Sequence, residues 1–128
     1  MKRSAGILLY KKEENEIFVL LAHFGGPYWQ NKDIGGWSLQ KGIAEEDEKI
    51  VTSARREVRE ETNLQIPEEI HYLASKKVSK HKLVIMFYTY FDGDLSSFKS
   101  NTFQKEWPKH SGQMKEFPEM DQIRWFSL

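Results

Sequence analysis

The first part of the chain alternates short apolar runs with polar turns. Residues 5–10 read Ala-Gly-Ile-Leu-Leu-Tyr and residues 17–22 read Ile-Phe-Val-Leu-Leu-Ala, with the charged segment KKEENE between them. Two short apolar runs on either side of a polar turn are typical of a buried β-hairpin. We therefore expect paired strands over residues 2–12 and 16–23.

The rest of the chain contains more strand patterns and two long polar segments. The segment KLVIMFYTYF, at residues 82–91, gives the clearest strand signal. Shorter strands are expected at three further places: residues 37–41, 70–78 and 123–126. Residues 24–36 hold four glycines and one proline and predict an exposed loop, long enough to be functional. Residues 95–121 are polar with two prolines, and we expect mostly loop with a short helical turn.

One long helix is predicted within residues 42–64, which read GIAEEDEKIVTSARREVREETNL. The apolar residues fall at helical spacing on a narrow stripe that would seat the helix on a sheet: Ile50, Val51, Ala54 and Val58. Asp47 is a candidate N-cap, and Asn63 tolerates the left-handed conformation that ends a helix. We expect the helix to run from about residue 48 to about residue 62.

Three glutamates on this helix predict a cation site. Glu57, Glu60 and Glu61 stand at positions i, i+3 and i+4, so their carboxylates project from one strip of the helix surface. Like charges at this spacing repel each other, and a divalent cation would offset the repulsion. Mg²⁺ prefers oxygen ligands and keeps several waters that phosphate can displace, so Mg²⁺ is the simplest candidate, with Mn²⁺ as a possible substitute.

Composition limits the other possibilities. The chain has 128 residues, of which 39% are hydrophobic, enough for one globular domain with a proper core. Lys plus Arg equals Asp plus Glu at 19 each, so no overall field suggests a DNA or membrane partner. The absence of cysteine excludes disulfides, thiolate metal sites and cysteine nucleophiles. No signal peptide or membrane-spanning run stands out, and we expect a cytoplasmic protein.

The helix and the residues before it resemble the signature of the Nudix hydrolases. That signature is a Gly, five residues, a Glu, seven residues, and then Arg-Glu-apolar-x-Glu-Glu-x-Gly-apolar. Six of its seven fixed residues are present: Gly42, Glu48, Arg56, Glu57, Glu60 and Glu61. Asn63 stands where the family has Gly, and because Asn adopts the same backbone geometry the departure is conservative.

The resemblance extends over nearly the whole chain and implies a fold. The segments SAGILLY, HFGGPYWQNKDIGGWSLQKG and SNTFQKEWPKHSGQMKEFPEMDQIRWF are similar to a bacterial Nudix subgroup described as predicted nucleoside triphosphate pyrophosphohydrolases, and to dinucleoside polyphosphate hydrolases. The implied fold is an α/β/α sandwich with a central mixed sheet. Family members usually close with a C-terminal helix, which we expect to be missing because the chain stops at Leu128.

The resemblance also assigns roles to individual residues. It implies metal ligation by the three helix glutamates and by the backbone carbonyl of Lys41. The water-activating base would be Glu60 or Glu57, or else a carboxylate from a later loop. Three later carboxylates are candidates, and Glu106 ranks ahead of the other two, Glu116 and Glu119. Gly42 and Glu48 would support the site, and Arg56 would orient a carboxylate.

For the candidate substrate-binding residues, a functional and a structural interpretation are both open. Tyr28 and Trp29 would stack on a nucleobase or would only pin the loop to the core. Lys82, with Lys80 and His81, would reach a polyphosphate or would form a solvated turn. None of the four histidines shows metal-ligand spacing.

Three functions fit these observations. The first is Mg²⁺-dependent hydrolysis of a phosphoanhydride bond in a nucleoside diphosphate-linked substrate, such as a nucleoside triphosphate or a dinucleoside polyphosphate. The second is a pyrophosphohydrolase acting on a 5′-triphosphate RNA end, which the balanced charge disfavours. The third is a Nudix module that senses a nucleotide without hydrolysing it, which the retained signature carboxylates disfavour.

Overall fold

Nine β-strands and one α-helix make up the chain, and the computed structural model describes all residues from 1 to 128. In chain order the elements are β1 (Lys2–Glu13), β2 (Glu16–Phe24), β3 (Trp37–Ser38), β4 (Gln40–Ile43), α1 (Ile50–Thr62), β5 (His71–Ser79), β6 (Lys82–Tyr90), β7 (Thr102–Glu106), β8 (Met114–Pro118) and β9 (Met120–Ser127).

Seven of the strands form one mixed sheet. The order is β3, β2, β1, β6 and β5, with β4 beside β1 and β9 beside β2. β1 and β6 run parallel, and every other pair is antiparallel. The predicted hairpin of β1 and β2 is confirmed, with a turn at Glu14 and Asn15, which both have positive φ. The central mixed sheet is therefore as expected.

The segment 37–43 lies between the diverging ends of β1 and β2. β1 pairs with β2 through residues 10–13 and with β4 through residues 4–7, while β2 pairs with β3 near His23. One bent segment thus bridges both strands of the hairpin. The bridge brings the end of β4 beneath the helix.

The helix α1 packs on one face of this sheet. Ala54 and Val58 are completely buried and belong to the same apolar cluster as Ile7, Leu9 and Leu20. Val51, predicted to lie on this stripe, is 40% exposed, so that part of the prediction is wrong. Val51 stands three and seven residues before the buried positions 54 and 58, which is helical spacing. The neighbouring residue Ile50, however, packs against the core in its place.

The two ends of α1 are built differently. At the start, Lys49 occupies the N-cap position and no side chain caps the helix, so the proposed cap by Asp47 is wrong. At the end, Asn63 has φ 58° and ψ 18°, and its backbone N–H donates to the Arg59 carbonyl. The predicted left-handed closure by Asn63 is confirmed.

The segment predicted as loop contains a second sheet. β7 and β8 form a two-stranded antiparallel hairpin in which Phe103 faces Phe117. The hairpin escaped prediction because its strands lack a buried apolar face: only these two phenylalanines are half-buried, and the other residues of both strands are exposed.

A buried histidine ties three parts of the fold together. The His23 side chain on β2 is 3% exposed. Its Nδ1 lies 2.8 Å from Oδ1 of Asp121 on β9, and its Nε2 contacts the carbonyl oxygen of Lys32 in the loop between β2 and β3. A carboxylate and a carbonyl both accept hydrogen bonds, so this pair of contacts favours the imidazolium form, in which both ring nitrogens donate.

The layer arrangement matches the predicted class. A mixed sheet carries one long helix, and no second helix is formed within residues 1–128. The chain has no helix with the length and apolarity required to span a lipid bilayer.

Candidate active site

Three carboxylates project from α1 towards the end of β4 and differ in their exposure. The Glu60 side chain is the most accessible, Glu57 is largely covered, and Glu61 is only 5% exposed. Oε2 of Glu61 is buried and has no hydrogen-bond partner. An unpartnered buried carboxylate oxygen is rare and costly, so the site is arranged for a group that this oxygen would bind.

Burial and mutual repulsion alter the protonation of these groups. The pKa of Glu61 is raised to about 8, mainly by burial and also by the neighbouring charges of Glu57 and Glu119, while the ammonium of Lys41 opposes the shift. Burial also raises the pKa of Glu57, although the guanidinium of Arg56 opposes the shift. Without a cation Glu61 therefore holds its proton at neutral pH.

The signature glycine is required by its contact with Glu57. A Cβ atom built on Gly42 would lie 2.0 Å from both Cδ and Oε2 of Glu57. Any side chain at this position would therefore displace the carboxylate. The glycine lets β4 and the carboxylate approach each other directly.

Arg56 organises the carboxylates from the side. Its Nε and Nη2 donate to the two carboxylate oxygens of Glu48, at 2.9 and 3.0 Å, and Nη2 also donates to the Ile43 carbonyl. Its Nη1 donates to Glu57 at 2.9 Å and reaches Glu60 at 3.2 Å. These hydrogen bonds, with one from Ser53, hold the pKa of Glu48 at about 2. Glu48 thus lies off the strip and pairs with Arg56.

Glu119 is the later carboxylate that the fold brings to the cluster. It lies between β8 and β9, and its charge raises the pKa of both Glu57 and Glu61. Main-chain hydrogen bonds fix its position: the Asn101 N–H donates to the Glu60 carbonyl, the Glu119 N–H to the Asn101 carbonyl, and the Gly25 N–H to the Glu119 carbonyl. We call this series the backbone relay.

Glu106 lies at the far end of the hairpin, and Glu116 lies within β8 opposite Gln104. Glu106 ends β7, four residues beyond Thr102, which is about 13 Å along the strand. Its carboxylate accepts a hydrogen bond from the backbone N–H of His110 in the tip of the hairpin. In the sequence Glu106 ranked first because it stands beside Trp107 and Pro108 in a segment predicted as loop. The pairing of residues 102–106 with 114–118 would have placed Glu119, and not Glu106, at the base of the hairpin.

The two predicted lysines occupy different surroundings. Lys41 lies in β4, and its charge lowers the pKa of Glu61, so its side chain faces the cluster. Lys82 begins β6 and pairs with Lys2, whereas Gly42 pairs with Ala5. Lys82 therefore lies across β1 from β4 and about 10 Å further along it.

The predicted aromatic residues lie on the loop between β2 and β3. Tyr28 is 63% exposed, and its ring meets the Trp29 ring edge-on at 5.0 Å between centroids. Trp29 also packs against Phe24 at 5.3 Å, and Nζ of Lys32 lies 3.8 Å from the Tyr28 centroid. Tyr28 therefore offers surface to solvent, while Trp29 is partly held by the protein.

The donor set fits a hard divalent cation by its chemistry. All the candidate ligands are oxygens, and one of them, Oε2 of Glu61, is buried without a partner. No three His, Asp or Glu side chains of the chain already converge on a single ion position. Instead the Arg56 guanidinium contacts Glu57 and Glu60.

Fold and site together define an α/β protein whose single helix carries a cluster of carboxylates. The NUDIX domain family model matches residues 1–128 of the chain. The chain belongs to the Nudix family, whose hydrolases generally use divalent metals, and this membership supports a pyrophosphohydrolase enzyme.

Solved structures share the fold at low sequence identity. A MutT/nudix family protein from Enterococcus faecalis has a TM-score of 0.67 at 17% identity, over 98% of this chain and 43% of that one. The NUDIX domain of Shewanella oneidensis NrtR, solved with ADP-ribose, has a TM-score of 0.64 at 14% identity, over 98% and 71%. A C. elegans Ap4A hydrolase binary complex has a TM-score of 0.61 at 18% identity, over 99% and 80%.

These similarities show only that the fold is shared. The chain spans less than half the length of the Enterococcus protein. No curated protein matched the chain.

Proposed function

We propose that the chain hydrolyses a phosphoanhydride bond in a nucleoside diphosphate-linked substrate, such as a nucleoside triphosphate or a dinucleoside polyphosphate, with Mg²⁺ bound at Glu57, Glu60 and Glu61. Family membership supports the reaction class. The Ap4A hydrolase and the NrtR domain solved with ADP-ribose are similar in fold, and Ap4A and ADP-ribose both contain phosphoanhydride bonds. The metal, the substrate and the ligand residues are part of this proposal.

The observation that carries the proposal is the buried Glu61 carboxylate. Its Oε2 has no partner, and its pKa is about 8 because it is buried beside Glu57 and Glu119. A purely structural residue in this position would be apolar, since burying an unpaired carboxyl is unfavourable. A cation-binding role accounts for the glutamate and for the acidic groups that surround it.

The residues of the chain then divide the work. Bound Mg²⁺ would supply positive charge for the phosphate oxygens in the transition state and lower the pKa of a coordinated water. Glu57, Glu60 and Glu61 would hold the cation, and the Lys41 carbonyl remains a candidate ligand. Arg56 would position Glu57 and Glu60 through its hydrogen bonds.

The same geometry suggests a base. Glu119 lies at the cluster on an exposed turn, where solvent can reach it. We propose that Glu119 takes the proton of the attacking water, in place of Glu106, which pairs with the His110 amide. Glu60 and Glu57 remain possible bases, as in the sequence-based interpretation.

The test of the proposed function is Glu60→Gln. We expect hydrolysis at saturating Mg²⁺ to fall at least about a hundredfold, because a neutral amide binds a hard cation poorly, while folding is unaffected since Glu60 is accessible. Glu68→Gln, an exposed change beyond the helix, serves as the control. Turnover should be screened across nucleoside triphosphates, dinucleoside polyphosphates, nucleotide sugars and triphosphate-ended RNA. Unchanged turnover in Glu60→Gln would remove its assigned role, and nucleotide binding without product at any Mg²⁺ or Mn²⁺ concentration would indicate a sensor.

A further inference from the structure

A cavity of about 300 Å³ opens between the loop that follows β2 and the strand β7. Tyr28 and Trp29 form one wall, and Phe103 and Lys105 form the other. Its volume lies at the lower end of the range for small-molecule sites. The lining is mostly apolar, with a single cationic side chain.

The wall formed by β7 has a regular construction. Phe103 and Lys105 are two residues apart on a strand, so their side chains point to the same face of the hairpin. Gly26, with φ 95°, lies against the Phe103 ring, and a Cβ atom there would be 2.9 Å from Cζ. Only glycine allows the loop to come this close with this backbone conformation. The loop and the hairpin are therefore fitted to each other at the floor of the cavity.

The opposite wall is held in place before any ligand arrives. Trp29 is fixed between Phe24 and the edge of Tyr28, and Lys32 covers one face of Tyr28. Side chains that are already ordered lose little entropy when a ligand binds.

The cavity adjoins the carboxylate cluster through the backbone relay. Gly25, which begins the loop wall, donates to the Glu119 carbonyl, and Asn101, which precedes β7, donates to the Glu60 carbonyl. Both walls are thus tied by main-chain hydrogen bonds to the residues that we propose hold the cation and activate water. A nucleotide whose phosphates lie on the cluster would have its base within reach of the cavity.

We propose that this cavity binds the nucleobase of the substrate, with Phe103 as the stacking residue and Lys105 as a donor to the base or to a phosphate. This assignment rests on the proposed function, because that function places the phosphates of the substrate on the carboxylate cluster. Bases of any kind stack on aromatic rings, and a lysine next to the ring favours a ligand that carries negative charge. The β7–β8 hairpin is then a specificity element, although sequence reasoning treated it as loop.

The hairpin offers matched control positions. Phe117 pairs with Phe103 across the strands, and Lys115 pairs with Lys105. Neither Phe117 nor Lys115 lines the cavity. The same substitution on the two strands therefore separates a contact with ligand from a general effect on the hairpin.

The experiment measures equilibrium binding, which does not depend on turnover. Ribose 5-phosphate and the four nucleoside 5′-monophosphates are titrated by calorimetry. We expect the tightest nucleotide to bind at least about tenfold more strongly than ribose 5-phosphate. Phe103→Leu should remove most of this difference and Phe117→Leu should keep it. Lys105→Gln should weaken nucleotide binding about threefold, with a smaller effect from Lys115→Gln.

Two outcomes would overturn the assignment: equal binding of ribose 5-phosphate and every nucleotide, or equal losses from the two phenylalanine variants. Circular dichroism checks that the phenylalanine variants fold. If either variant does not fold, the comparison of Lys105→Gln with Lys115→Gln replaces it, and equal losses from these two variants would overturn the assignment. Loss of hydrolysis in every assay alongside base-dependent binding would instead contradict the proposed function and leave the nucleobase site in place.

Discussion

At the scale of single residues, the candidate site depends on a few contacts that constrain the residue type at their positions. Gly42 is needed because the Glu57 carboxylate occupies the space of a side chain. Glu61 is buried among other acids with one oxygen unpartnered. These contacts account for the residue types at positions 42 and 61. Glu48 stands apart from the strip of helix glutamates because Arg56 donates hydrogen bonds to both of its carboxylate oxygens.

The two later glutamates provide a matched pair at this scale. Glu119→Gln should lower kcat at least about tenfold, because removal of a general base typically costs more than that. Glu106→Gln should change kcat less than about twofold, because its carboxylate only caps a turn in the hairpin. Steady-state kinetics at saturating Mg²⁺ measures both. The reverse order of effects would return the role of base to Glu106.

At the scale of elements, the closure of α1 can be tested through Asn63. Its left-handed backbone is unfavourable for most side chains, and its Nδ2 donates to the Ser97 carbonyl at 3.1 Å. Asn63→Ala should lower the free energy of unfolding by about 1–2 kcal/mol, since alanine pays the conformational cost and loses the hydrogen bond. Asn63→Gly should cost less than half as much. Urea unfolding of the two variants measures the difference, and equal losses would show that the backbone conformation is unimportant.

The elements that could be predicted from sequence are those with a buried apolar face. The hairpin β1–β2, the strand β6 and the body of α1 each follow an apolar pattern, and each was located to within a few residues. The hairpin β7–β8 was missed because it is exposed on both faces apart from one aromatic pair. The helix start was misplaced because Asp47, a favourable cap by type, is not used as one.

The predicted site residues divide in a similar way. Glu57, Glu60 and Glu61 are neighbours because helix geometry alone places them on one strip. Glu119 joins them only through the missed hairpin and the backbone relay, which link distant parts of the chain. Local periodicity carries no information on such contacts, so the sequence ranked a different carboxylate first.

At the scale of the whole molecule, His23 connects β2, the loop before β3 and the start of β9. Burial lowers the pKa of His23, but the Lys32 carbonyl and the Asp121 carboxylate outweigh it, and the pKa is raised above 6.5. The ring is therefore protonated in the folded state at pH values where the unfolded chain has released its proton. The stability that the charged pair contributes is fully present below pH 6.5 and is lost as the pH rises through the folded pKa.

This connection predicts a pH-dependent effect of Asp121→Asn. At pH 6 the substitution should lower the free energy of unfolding by about 1–3 kcal/mol, because a charge-assisted hydrogen bond is replaced by a neutral one. At pH 9 the loss should be smaller, since the charge on His23 is lost as the pH rises through its folded pKa. Urea unfolding at the two pH values measures it, with Asp92→Asn as an exposed control. Equal losses at both pH values would contradict a contribution that depends on the titration of His23.

The backbone relay has a consequence for how such a protein can diversify. Its three hydrogen bonds join main-chain atoms only, so they persist when the side chains around them are exchanged. If the two proposed sites are correct, selection can replace Tyr28, Phe103 or Lys105 to recognise a new molecule without disturbing the acidic groups proposed to carry out bond cleavage. Recognition and chemistry can be inherited separately in this architecture.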